Sequence, residues 1–153
     1  TTMIIAVWRT LLFLWLGSIL FVISLPWWKF DGTPHWNNVQ WIPFKGYVLT
    51  TSTLIEPGAN FLAFVPIGYL TIRSFTPGIK RPLLLAGVIG LAASFTIEAY
   101  QLFCHDRVPA STDLLLNTAG AVLGAQLALK LDELISFLSR RMPFASPNPN
   151  AEE

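Results

Sequence analysis

Glu98 and Asp113 are carboxylates set in otherwise apolar stretches, and Arg107 lies between them in the chain. Two neighbouring carboxylates can move a proton, and a guanidinium can hold an anion, or either carboxylate, through two parallel hydrogen bonds. Ser94, Gln101, Asn60 and Asn117 add hydroxyl and amide groups able to orient a ligand. A site built from these seven residues would take a polar or anionic headgroup. The same groups could instead form a clasp that ties helices together, and paired carboxylates alone define no reaction, so no catalytic residue is assigned.

Other chemistry is less well supported. His105 with Asp106 and Glu98 forms no known ligand spacing, so no metal is expected, and His35 and His105 fall in loops rather than at mid-span, which argues against buried haem ligation. No cofactor is expected. Cys104 has no evident base beyond the adjacent His105, and a lone cysteine excludes an internal disulfide.

The elements that position these residues follow from composition. Of 153 residues, 53% are apolar and 12% charged, about half the ~25% charge of a soluble domain. A core of this size cannot hide that much apolar surface, so lipid must cover part of it. A net charge of +1 supplies no field for nucleic acid. A helix crossing the ~30 Å hydrocarbon core needs about 20 mostly apolar residues, and four such intervals occur, at about 3–27, 57–75, 81–103 and 111–130. The expected fold is an all-α polytopic membrane protein, a four-helix transmembrane bundle forming one domain over 1–144. The first interval is too long, and ends in residues too bulky, for a cleaved signal peptide, and is read as a span. Leu131, Leu134, Ile135 and Leu138 share a stripe, so 131–142 reads as a short amphipathic extension, and 145–153 as a flexible tail.

Basic residues stay on the cytoplasmic side. Arg73, Lys80 and Arg81 after the second span, with Lys130, Arg140 and Arg141 after the fourth, put both termini in the cytoplasm. The Trp28–Glu56 and Cys104–Pro109 loops then lie outside, and so does the polar end of each span. Gly87, Gly90, Ser94, Glu98 and Gln101 are spaced 3, 4, 4 and 3 apart, forming one helical stripe that is small at depth and polar near the surface. Asp113, Asn117, Gly120 and Gly124, spaced 4, 3 and 4, do the same in reverse, above a Gly-xxx-Gly packing surface. Asn60, Phe64 and Gly68 form a weaker stripe. A carboxylate at the bilayer centre costs about 2.5–3.5 kcal/mol, so Glu98 and Asp113 should face the bundle, with Arg107 as the expected counter-ion.

Asn60-x3-Phe64-x-Pro66-x-Gly68, Glu98-x2-Gln101, Arg107, Asp113-x3-Asn117 and Gly120-x3-Gly124, preceded by Trp41-Ile-Pro43-Phe44, together resemble the VanZ-like family of small membrane proteins. The resemblance covers about Ile42 to Gly124, with the arginine set further from the fourth helix than usual. It implies a helical bundle in a bacterial cytoplasmic membrane. It carries a label of glycopeptide resistance without an established mechanism. Two readings stay open. In one, an outward polar pocket binds a lipid-linked or cell-envelope headgroup; in the other, the chain is an accessory subunit of a larger membrane complex and its polar cluster is a clasp. Partners are membrane lipids in the first reading and protein subunits in the second.

Overall fold

The computed structural model describes residues 2–25, 27–45, 51–75 and 78–141. They form four helices: α1 Thr2–Ser24, α2 Thr51–Phe75, α3 Pro82–Gln101 and α4 Ser111–Arg141. Among the described residues there is no strand, only two isolated bridges between loops. The tail expected at 145–153 lies outside the described residues.

Proline sets two of the helix limits. The residue before a proline is pushed out of helical conformation, so α1 stops at Ser24, ahead of Pro26 and short of the expected Trp27. Pro82 opens α3 at a position where its missing N–H costs nothing. The second helix departs most from expectation. It starts at Thr51 rather than Pro57, which lies inside it along with Pro66. The fourth runs unbroken for 31 residues, about 46 Å at 1.5 Å per residue, so the amphipathic extension is the same helix continued. There Leu134, Ile135, Phe137 and Leu138 remain exposed.

Helices α1, α3 and α4 are long and apolar enough to cross a membrane; α2, despite its 25 residues, is not among them. Its prolines, glycines, Asn60, Thr71, Arg73 and Ser74 lower its hydropathy. The packing explains how such a helix is accommodated. Phe64, Ile67, Thr71, Ile72 and Ser74 are all buried, and α2 touches each of the other three helices. Leu12 of α1 and Ile97 of α3 join Phe64 and Ile67 in the core, and Trp15 donates its indole N–H to the Ala63 carbonyl at 3.0 Å. Neighbouring helices therefore cover what lipid would not. On α1, by contrast, Met3, Phe13, Leu14 and Val22 are among many exposed apolar side chains.

Helices α2 and α4 run in the same direction with their backbones in contact. A methyl group built on Gly120 would overlap the Phe61 carbonyl oxygen, one on Gly124 that of Val65, and one on Gly68 that of Ala121. Helix α3 runs antiparallel to α4: Gly90 faces Ala121, with 2.5 Å between a built Cβ and the Ala121 Cβ, while Gly87 meets only Val122 Cγ2 at 3.4 Å. The buried face of α4, which includes Thr112, Asn117, Gly120, Ala121, Gly124, Ala125 and Ala128, is small throughout, and this permits the close approach.

One end of the bundle carries a cap. The loop from Lys29 to Lys45 lies against the α3–α4 connection and is joined to it through the main chain. Asp31 N–H donates to Phe103 O, His35 N–H to Leu102 O and His105 N–H to Lys29 O, at 2.9–3.1 Å. Gln40 N–H donates to Pro109 O at 2.9 Å, and Ser111 N–H returns to Gln40 O at 3.0 Å. At the opposite end, the Arg73 guanidinium on α2 pairs with Asp132 on α4, and the Arg9 guanidinium of α1 donates to the Ser74 carbonyl at 3.2 Å.

Candidate functional site

The polar residues singled out in the sequence separate into distinct groups at the capped end. Deepest is a link between α3 and α4, where Asn117 Nδ2 donates to Ser94 Oγ at 2.9 Å, both side chains buried. Asn117 Oδ1 is buried with no partner among the described residues. One turn nearer the cap, Glu98 Oε2 accepts the Ala110 backbone N–H at 2.8 Å. Ala110 immediately precedes α4, whose first turn has N–H groups that no intrahelical carbonyl can satisfy and a partial positive charge that favours a carboxylate. Asp113 stands in that turn, within electrostatic reach of Glu98.

Arg107 does not pair with Glu98 or Asp113 among the described ion pairs. Its guanidinium turns toward α1 and donates to the Leu25 carbonyl at 3.4 Å. The reason is local: Glu98 is held against the start of α4 by Ala110, whereas Arg107 sits in the connecting loop beside the end of α1. Gln101 is the last residue of α3, its carbonyl accepting the Cys104 N–H. Asn60 is half-buried on α2, and no hydrogen bond among those described joins it to Glu98 or Asn117. Among the described contacts, the seven residues fall into separate groups rather than one shared network.

A cavity of about 380 Å³ opens at this end instead. Phe95, Glu98 and Ala99 of α3, Leu114 of α4, Leu102 of the connection and Trp36 of the cap form much of its wall. Among the described lining residues Glu98 is the one of the seven present, and the exposed wall as a whole, its contribution included, is almost wholly apolar. Trp36 and Trp41 belong to the rim, their rings stacked with centroids 6.4 Å apart and planes within 7°. Ser111 Oγ lies 2.9 Å from the carbonyls of both Gln40 and Trp41, tying that rim to the start of α4. The sequence placed the Trp28–Glu56 loop outside but did not reveal the cavity. The available signal was the pair of tryptophans in the Pro-containing loop ahead of α2.

The loop side chains also group differently from their order in sequence. Asp106 pairs with Lys29 at 2.8 Å and Glu98 turns inward, while His105 faces His35 and Asp31 from across the cap. Asp31 is the best-held of these. The Thr33 backbone N–H, His35 and the Thr33 hydroxyl keep its carboxyl down at about 2, below its ordinary 3.8.

The family model VanZ/LLP1 matches residues 8–135, from within α1 to within α4. The chain belongs to the VanZ/LLP1 family. The match reaches into α1 and the extension of α4, beyond the stretch from Ile42 to Gly124 that carries the motifs. No curated protein and no solved structure matches this VanZ/LLP1 chain. Within this VanZ/LLP1 member, the motif residues divide between helix packing (Gly68, Gly120, Gly124), the Ser94–Asn117 link and the Glu98 contact with α4.

Proposed function

We propose that this VanZ/LLP1 protein binds a lipid-type molecule at its capped end, the apolar chain in the cavity and a hydroxyl or amine of the headgroup on Glu98. The observation that carries this reading is the composition of the cavity wall. Small-molecule sites are concave, mostly apolar and furnished with a few placed polar groups, with volumes of about 300–1,000 Å³. A 380 Å³ apolar chamber bordered by Glu98 fits that description. Oε2 is engaged by Ala110, so Oε1 is the remaining acceptor. A lipid-linked envelope precursor, with a long apolar chain and a hydrogen-bonding headgroup, suits the chamber better than a free anion does. The reading replaces the headgroup anchor first expected of Arg107 and Gln101.

In this reading the protein lies in a bacterial cytoplasmic membrane with the cap outside. Support comes from Arg73, Arg81, Arg140 and Arg141, which gather toward the end opposite the cap, as basic residues do on the cytoplasmic side. Exposed Trp28, Trp36 and Trp41 suit the opposite headgroup layer.

The test is purification in mild detergent, followed by native mass spectrometry and analysis of extracted lipid. The wild-type chain should retain lipid. Ala99→Trp, which fills the chamber, should retain none while keeping the wild-type melting temperature, and Glu98→Gln should shift the lipid classes retained. Lipid held equally by Ala99→Trp would overturn the proposal. So would a stoichiometric protein partner without lipid, which would favour the accessory-subunit reading.

A further inference from the structure

The chain has two histidines, 70 positions apart in sequence, and the cap brings them together. Their ring centroids are 5.6 Å apart, and both face one carboxylate oxygen. Asp31 Oδ2 lies 2.7 Å from His35 Nε2 and 3.9 Å from His105 Nδ1. All three atoms fall within 4.8 Å of one another.

We propose that Asp31, His35 and His105 form a binding site for a divalent first-row transition cation such as Zn²⁺. The donor set is chemically suited to one, since imidazole and carboxylate are the ordinary nitrogen and oxygen ligands of such ions. The spacing is suited too. Metal–ligand bonds of ~2.0–2.1 Å in tetrahedral arrangement put neighbouring ligand atoms about 3.3 Å apart. The two distances from Asp31 Oδ2, 2.7 and 3.9 Å, straddle that value, and with every pair of donor atoms inside 4.8 Å the set closes by side-chain adjustment of the two loops. Three protein ligands leave the fourth position to water or another ligand.

Two further features support the assignment. Asp31 Oδ1 already accepts the Thr33 N–H and the Thr33 hydroxyl, each at 2.8 Å, which fixes the carboxylate and leaves Oδ2 turned to the histidines. Support of a ligand by such outer contacts is a regular property of metal sites. The three residues also ride on segments aligned by main-chain hydrogen bonds, Asp31 to Phe103, His35 to Leu102 and His105 to Lys29. A simple His–Asp pair needs one histidine; a second, delivered to the same oxygen by a separate loop, is what a cation accounts for. The nearby Lys29 ammonium is neutralised by Asp106 at 2.8 Å, which reduces its repulsion of a cation.

The site stands apart from the cavity in chemistry and does not depend on the lipid proposal. It bridges the two loops of the cap, so a bound ion would cross-link them beside Trp36 and Leu102 of the cavity wall.

The experiment uses the full chain without an affinity tag, in detergent. Zn²⁺ is titrated by calorimetry, and Co²⁺ by its visible absorption, which is intense for tetrahedral nitrogen and oxygen ligation. The expected result is one ion per chain and a melting temperature that rises with Zn²⁺. His105→Ala should weaken binding by more than about 100-fold, beyond the 10–100-fold that outer contacts carry, and should remove the Zn²⁺-dependent rise. The His105 side chain is 75% exposed, so its loss leaves packing intact, and the metal-free melting temperature should not change. Asp31→Asn and His35→Ala should weaken binding similarly. Zn²⁺ binding weaker than about 1 mM, or binding that His105→Ala leaves unchanged, would overturn the proposal.

Discussion

Replacing Gly124 with alanine should destabilise the bundle by about 2 kcal/mol, and the same change at Gly87 should stabilise it. A methyl at Gly124 would sit on the Val65 carbonyl and 3.0 Å from Tyr69 N, both backbone atoms of α2 that no side-chain rotation can move. The two helices must part by roughly 1.5 Å or more to reach ordinary contact. Overpacking of this kind costs about 1–3 kcal/mol, and a backbone obstacle belongs at the top of that range. Against it stands the gain of about 0.5–1 kcal/mol for alanine over glycine within a helix. At Gly87 the nearest atom is Val122 Cγ2 at 3.4 Å, on a side chain that can yield. There the helix gain stands almost alone. Both substitutions share the propensity term, so the difference between them, about 3 kcal/mol, isolates the backbone overlap. Once α2 and α4 have separated for one methyl, a second on the same seam should cost less. Gly68→Ala combined with Gly124→Ala should therefore fall short of the sum of the singles by at least about 0.5 kcal/mol. The assay is reversible unfolding of each variant in mixed micelles. Equal effects at Gly87 and Gly124, or strict additivity of the double variant, would refute the argument that α2 and α4 touch backbone to backbone.

Asn117→Leu tests the link between α3 and α4: interhelical hydrogen bonds in lipid average only ~0.6 kcal/mol, while a buried unsatisfied carbonyl costs about 1–3 kcal/mol, so thermal unfolding should show the variant as stable as wild type or more so. The Arg73–Asp132 pair should give a double-mutant coupling of about 0.2–1 kcal/mol that shrinks with added salt, because the Asp132 side chain is 46% exposed. Thr112→Val removes the hydroxyl that accepts the Phe44 N–H at 2.9 Å, where Phe44 sits at φ 59°. It should raise the hydrogen-exchange rate of the Phe44 amide; an unchanged rate would mean that the turn holds without this bond.

Much of the helical architecture was legible because apolar runs of bilayer length carry their own signal, as in α1, α3 and α4. The ordered combination of Asn60, Phe64, Pro66, Gly68, Glu98, Gln101, Arg107, Asp113 and Asn117 was enough to identify the family. Other features had no such signal. Helix α2 was given too short a length because its prolines and polar residues weaken hydropathy, and only its position among the other three helices shows why that is tolerated. Arg107 meets the Leu25 carbonyl and Glu98 the Ala110 N–H, and main-chain partners have no side chain to announce them. The cap was invisible for the same reason: main-chain bonds join Asp31 to Phe103, His35 to Leu102 and Gln40 to Pro109, and none leaves a residue pattern. The nearness of His35, His105 and Asp31 follows from that joining and not from spacing along the chain.

The burial of α2 against α4 bears on how the protein is made. Helix α2 is the one helix not apolar enough over a bilayer length to cross a membrane, and its Gly68 seam is completed by Ala121, Gly120 and Gly124, which follow roughly fifty residues later. During synthesis, α1 and α3 emerge before that surface exists. Until α4 arrives, α2 must rest against them or against the insertion machinery, with the carbonyl-lined groove from Phe61 to Tyr69 open on one side. The order of synthesis thus orders assembly, and α4 secures α2 only after α3 has already emerged.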